Sequence, residues 1–146
     1  MIAKLLSKLF KGRIIMRTDD PYLSRWWVLR TPIVKVYVHK FHRSDWDEDL
    51  HNHPWAWALS LILKAGYCEE RRLGNQVISR LVKPGNINLI RHSTFHRVDL
   101  LQKDCWSLFI AGPRKQDWGF WNRVINQYIP HNDFIDKSGA VAAEIN

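Results

Sequence analysis

The sequence predicts an all-β protein, a sandwich or jelly roll, preceded by one short amphipathic helix. Three observations carry this. Short strand-like segments recur along the 146 residues, with turn signals between them and no convincing helix separating them. Lys35 to Phe41 alternates cleanly, with Val36 and Val38 on one side and Tyr37, His39 and Phe41 on the other, as a half-buried strand requires. The one stretch of helical period lies at the N-terminus.

That helix is expected over residues 2 to 11. Ile2, Leu5, Leu6, Leu9 and Phe10 recur at i, i+3, i+4, i+7 and i+8; Lys4, Ser7, Lys8 and Lys11 take the other side, and Gly12 stops it. A helix of about ten residues is marginal alone, so it should dock on the barrel or on a second subunit, which leaves a homodimer open. From residue 13 the pattern turns to strands. Residues 43 to 49 (RSDWDED) form an acidic loop, and residues 55 to 64 read as a strand that Gly66 ends. Trp55, Trp57, Leu59, Leu61 and Leu63 share the parity of His51 and His53, which predicts that this face is the barrel interior. Further strands are expected at 76 to 82, 87 to 91, 96 to 101 and 105 to 111, between turn signals at Gly74-Asn75, Pro84-Gly85, Lys103-Asp104 and Gly112-Pro113. The chain thus divides into a basic helix over 1–12, a barrel over 13–136 and a small, polar tail over 137–146 that should fray.

Composition narrows the function classes. Net charge is +8, and the excess is uneven: residues 1 to 46 hold ten Lys/Arg against three Asp/Glu. A basic arm can meet nucleic acid or an anionic surface, but no nucleic-acid module accompanies it, so a solvated face is the expectation. Cys68 and Cys105 lack metal-type spacing and sit in strand-like runs, as buried free thiols of a cytoplasmic protein would. No apolar run approaches the ~20 residues of a membrane span, and lysines interrupt the N-terminus as they would not in a secretory signal. The eight tryptophans suit core and rim packing; Trp55, Trp57 and Trp106 lie near enough to the histidines below to wall a ligand.

The chemistry concentrates in Leu50-His51-Asn52-His53-Pro54-Trp55. In an extended segment residues i and i+2 point the same way, so His51 and His53 can chelate one ion. His96 follows, after the Pro84-Gly85 turn. Three neutral imidazoles from two strands suit Fe, Zn, Ni, Mn or Cu.

These residues resemble the cupin superfamily, whose first motif carries His-x-His and whose second runs Pro-Gly, about ten residues, then a histidine. Arg97-Val98 continues the second motif in the usual way. The resemblance implies a double-stranded β-helix, the cupin jelly roll, and a divalent transition metal on His51, His53 and His96. There are departures: the glutamate of the first motif falls at Trp57 or Ala58, its glycine at Asp45, and the asparagine of the second at Leu100. The usual three-His-one-Glu site therefore does not carry over, and a three-His site open to water or substrate is expected. The run from His51 to Trp55, then Cys105-Trp106-x-Leu108-Phe109-Ile110-x-Gly112-Pro113-Arg114, then Trp118-Gly119-Phe120, is similar to a family of small single-domain cupins of bacteria and phages, over roughly residues 22 to 134. That likeness brings no reaction with it.

The functional expectation is a metal-dependent enzyme, of dioxygenase type, acting on a small anionic molecule. A non-catalytic binding or sensing module and a metal-free sugar-nucleotide epimerase-type cupin are the alternatives. A substrate pocket should open beside the histidines, walled by Trp55, Trp57 or Trp106 and bearing an arginine, with Arg91 or Arg97 favoured because they flank His96. His92 is a candidate fourth ligand or outer donor. Arg25, Arg30 and Arg114 lie in flanking segments, and Tyr37, Tyr67 and His39 are candidate acids or bases that the sequence does not select.

Overall fold

The computed structural model describes residues 1–17, 19–45 and 49–133, together with the backbone of 140–145. Residues 46–48 of the acidic loop and 137–139 and 146 of the expected tail lie outside the described residues. The element order is α1 (Ile2–Leu9), β1 (Gly12–Arg17), β2 (Asp20–Arg30), β3 (Lys35–Phe41), β4 (Leu50–His51), β5 (Trp57–Lys64), β6 (Tyr67–Leu73), β7 (Gln76–Val82), β8 (Ile87–Arg91), β9 (His96–Leu100), β10 (Cys105–Ala111), β11 (Gly119–Asn122), β12 (Gln127–Pro130) and β13 (Ala140–Ile145). The strands form two antiparallel sheets, one ordered β13-β1-β2-β3-β10-β5-β8 and the other β12-β11-β4-β9-β6-β7. Neighbours in each sheet are mostly distant in sequence, which is the wrapped topology of a double-stranded β-helix.

The all-β expectation and most strand bounds hold. The strands at 76 to 82, 87 to 91 and 105 to 111 stand where expected, and that at 96 to 101 ends one residue earlier. The Pro84-Gly85 turn works because Gly85 adopts φ +87°, open to glycine at no steric cost, and its N–H donates to the Ile62 carbonyl at 2.8 Å. Where the sequence predicts a fraying tail, the backbone of Ala140–Ile145 runs beside β1, with Arg13 facing Glu144 in register.

Alternation sets the core. On β3, Tyr37 and His39 turn inward; on β10, Cys105, Ser107, Phe109 and Ala111 do. One cluster joins Tyr37, Ala58, Ile90, Phe109 and Ala111, with Trp27 and Trp55 against it. A second joins Ile62 and Cys105 of the first sheet to Tyr67, Val82 and Val98 of the other, so burial ties the two sheets together.

The interior face of β5 is the reverse of the one expected. Ala58, Ser60 and Ile62 are buried, whereas Trp57, Leu59, Leu61 and Leu63 turn the other way. Regular pairing lapses between His51 and Trp57: the Pro54 carbonyl accepts from the Lys115 N–H at 2.8 Å and Trp55 bridges Arg114. The irregular segment shifts the strand by one residue, which exchanges its two faces. Trp57 consequently lies flat on Gly112, where a Cβ would stand 2.6 Å from its Nε1.

The helix ends at Leu9 rather than at residue 11. It is fastened to the barrel by Trp26 Nε1 donating to Ser7 Oγ at 3.0 Å, and Ile2, Leu5 and Leu9 remain exposed. Both cysteines are free; Cys105 is buried and Cys68 half-buried.

Candidate metal centre

The site grows from a strand two residues long. β4 is held between β11 and β9, with His51 opposite Phe120 on one side and opposite His96 on the other. Directly opposed residues of an antiparallel pair share a face. His51 and His96 therefore project together, and their ring centroids stand 4.8 Å apart. His53 follows just beyond β4, its ring 5.1 Å from each of the other two. One ring nitrogen from each of the three can be chosen so that all lie within 4.8 Å of one another, and the Nε2 atoms of His53 and His96 are 2.9 Å apart.

The backbone around the pair is stapled rather than loose. Asn52, buried between the two histidines, accepts from the Gly119 N–H at 2.8 Å through Oδ1 and donates through Nδ2 to the His92 carbonyl at 3.3 Å. Gln116 Nε2 bridges the carbonyls of His53 and His92 at 3.2 and 2.8 Å. His92 thus takes part through its backbone, and its imidazole is not one of the clustered rings.

Two carboxylates stand behind the imidazoles. Glu69, fully buried on β6, accepts from His96 Nδ1 at 2.6 Å, which leaves Nε2 for the cavity. Its oxygens also accept from Arg71 Nη2 at 3.0 Å, Arg80 Nε at 2.6 Å and Asn88 Nδ2 at 2.9 Å. Burial alone would raise the Glu69 pKa; the bond and charge of His96, then Asn88 and Arg71, outweigh it and hold the carboxyl well below its usual range. Asp45 Oδ2 lies 3.6 Å from His51 Nδ1, while Asp45 accepts from the Val98 N–H at 2.6 Å and from the Tyr22 hydroxyl. Burial pushes the His51 pKa down to about 4, with His96 and Arg17 adding and Asp45 opposing. Burial, then His96 and His51, hold His53 well below its usual value. Both rings are neutral near pH 7, the form that ligates a metal.

The three imidazoles open onto a cavity of about 400 Å³. Trp55 lines it, as expected. Trp57 and Trp106 do not: Trp57 covers Gly112, and Trp106 is stacked on Trp26 at 5.8 Å. The aromatic wall is completed by Trp118 and Phe120, from the stretch that follows β10. Arg91 and Arg97 are also absent from the lining. Arg91 is exposed, and Arg97 Nη1 reaches Glu70 at 3.5 Å. The cavity arginines are instead Arg13, Arg17 and Arg25, from β1 and β2. Among the candidate acids and bases, His39 and Tyr67 line the cavity and Tyr37 belongs to the core.

Sequence reasoning overlooked Glu69 and Asp45. Glu69 sits in Tyr67-Cys68-Glu69-Glu70-Arg71-Arg72, which reads as a charged surface strand. Its shared parity with Tyr67 was the available signal.

No protein-family model matches the chain, and no curated protein matches it. Solved structures do. KdgF from Halomonas sp. is 21% identical at a TM-score of 0.51, over 66% of this chain and 85% of its own. An uncharacterised conserved protein with a double-stranded β-helix domain from Klebsiella pneumoniae is 17% identical at 0.53, over 68% and 84%. Hydroxypropylphosphonic acid epoxidase from S. wedmorenis is 15% identical at 0.52, over 68% of this chain; the match spans about half of the epoxidase, 55%. At these identities the likeness is one of fold.

Proposed function

We propose that this chain, a double-stranded β-helix of the cupin superfamily, is a metal-dependent enzyme of oxygenase type acting on a small anionic molecule, with a divalent transition metal on His51, His53 and His96. The observation that carries the reading is the convergence of three ring nitrogens within 4.8 Å at the wall of a 400 Å³ cavity. The donor set fits such an ion. Metal–imidazole bonds of about 2.0–2.1 Å place neighbouring ligand nitrogens about 3 Å apart, which the rings reach with small rotations. His96 is held in the tautomer that leaves Nε2 free, and burial keeps His51 and His53 neutral.

With three protein ligands the coordination sphere keeps positions open, as catalytic sites do and closed four-ligand sites do not. The bound ion would act as a Lewis acid toward a substrate oxygen and, as iron, would engage dioxygen. The remaining work belongs to the chain: the aromatic wall would contact the ligand body, and Glu69 orients His96 through a 2.6 Å hydrogen bond. Among the solved neighbours, the epoxidase is described with Fe(II) and with fosfomycin; here the metal is any of Fe, Zn, Ni, Mn or Cu.

Elemental analysis of protein made in metal-replete medium tests this. About one equivalent of a divalent transition metal per chain is expected, and His53→Ala should lose most of it, because two imidazoles no longer surround the ion. Oxygen uptake by iron-loaded protein distinguishes the oxygenase from a binding module. Metal-free protein as isolated from such medium would sink the reading.

A further inference from the structure

The two walls of the cavity carry different chemistry. The histidines come from the β4–β9 sheet. Across from them, β1 and β2 of the other sheet contribute Arg13, Arg17 and Arg25. Arg13 and Arg25 are direct partners in the β1–β2 register, so their side chains share a face. Like charges in that relationship repel, and the arrangement is unfavourable unless something offsets it.

Arg13 stands opposite Glu144 in the β1–β13 register, whereas Arg25 meets no carboxylate among the described side chains. Arg25 Nε donates to His39 Nε2 at 2.9 Å, and its guanidinium lies 4.8 Å over the Tyr37 ring. Arg13 Nε is buried with no hydrogen-bond partner among the described residues. Burial, together with the Arg13 charge, lowers the Arg25 pKa, the signature of a guanidinium lacking a counter-ion. Asp45, the acid on the cavity wall, is engaged by Tyr22 and the Val98 N–H. The lining also includes the apolar Ile15, Leu23, Phe41, Ile90, Val98 and Phe109, beside the polar Tyr22, Ser60 and Tyr67.

We propose that Arg13 and Arg25 form the anion subsite of this cavity, and that its ligand is an organic oxyanion with an apolar body, the acid group on the guanidinium pair and the body against the apolar lining. A planar guanidinium matches a carboxylate or a phosphonate with paired hydrogen bonds, and a ligand anion cancels the Arg13–Arg25 repulsion. His39 positions Arg25 by accepting its Nε–H, so the fork points from a fixed base. The inference rests on reading the cavity as a ligand site, and it does not require the metal to be present.

Calorimetric titration of the full chain, stripped with chelator, with phenylphosphonate, benzoate and the neutral benzyl alcohol separates the possibilities. At least one anion should bind and weaken with salt, and benzyl alcohol should not bind. Arg25→Gln and Arg13→Gln should each weaken the anion by about tenfold or more, whereas the exposed Arg114→Gln should leave it unchanged. Whichever of phenylphosphonate and benzoate binds more tightly identifies the acid group. Thermal unfolding identifies folded variants; if Arg25→Gln does not fold, Arg13→Gln carries the test. Absence of anion binding to the unmutated chain, or equal binding by the folded arginine variants, overturns the subsite. Because the protein is metal-free throughout, either result is independent of the elemental analysis above.

Discussion

His96 Nδ1 donates to Glu69 Oε1 across 2.6 Å of buried interior, between β9 and the neighbouring β6. A histidine that gives one ring proton to a carboxylate presents its other nitrogen as a lone pair in a fixed direction, and the carboxylate raises its basicity. Glu69 is in turn held by two guanidiniums and an amide. Glu69 is not part of the cavity lining; it stands behind His96, on the ring nitrogen turned away from the other two imidazoles.

Replacing Glu69 with Gln should weaken metal binding by about ten- to a hundredfold, because the amide orients His96 less firmly. Competition against a chromophoric chelator measures it. Glu69→Ala should also cost about 3–5 kcal/mol of stability in urea, since Arg71 and Arg80 lose their buried partner; Arg80 is partly exposed, which favours the lower end. Unchanged affinity in Glu69→Gln would show that His96 is oriented by something else.

Asn52→Ala should destabilise the fold by about 1–3 kcal/mol, as the Gly119 N–H and the His92 carbonyl lose their partner. The same change loosens the two-residue step between His51 and His53. Metal affinity should therefore fall together with stability, and an unaltered metal titration would argue that β4 pairing alone fixes the pair.

The metal-free protein should lose stability as pH falls below about 6.5. Burial, and then the Arg25 charge, hold the His39 pKa well below its ordinary value, so the folded state resists a proton that the unfolded chain accepts. Protons then favour unfolding: this contribution is complete above the unfolded pKa and is lost progressively toward the folded one, at about 1.4 kcal/mol per pH unit. His51 and His53 act in the same direction. Denaturation series at several pH values on the unmutated chain and on His39→Gln should differ in slope by about one proton. Parallel curves would contradict the burial of a neutral His39.

Gly112→Ala should cost about 1–3 kcal/mol, because the new Cβ would lie 2.6–2.7 Å from the Trp57 indole and force it off the strand. Anion and metal titrations should be little altered, since Trp57 faces away from the cavity. A variant as stable as the parent would mean that Trp57 is free to move.

The strands and the three histidines were legible because period and spacing are local properties: alternation in Lys35 to Phe41, His51 and His53 two apart, and a Pro-Gly turn before His96. What failed depended on facts the string does not carry. The tryptophans at 55 and 57 look equivalent until Pro54 and its pairing with the segment near 115 shift the phase, after which only Trp55 meets the cavity. Arg97 follows His96 on β9 and so points to the opposite face, while Arg91 ends β8 in the other sheet and is exposed. Arg25 and Glu69, the residues that matter across the fold, are separated from the histidine pair by whole strands, and nothing short of the sheet order brings them together.

The cavity draws its three clustered imidazoles from one sheet and its guanidiniums from the other. Such a division of labour makes the protein modular along its own midplane. If both proposals hold, substitutions on β1 and β2 would change the acid that the barrel accepts while leaving the three histidines in place on the other sheet. The reverse exchange, a new metal behind an old recognition surface, is equally open to selection and to the protein engineer.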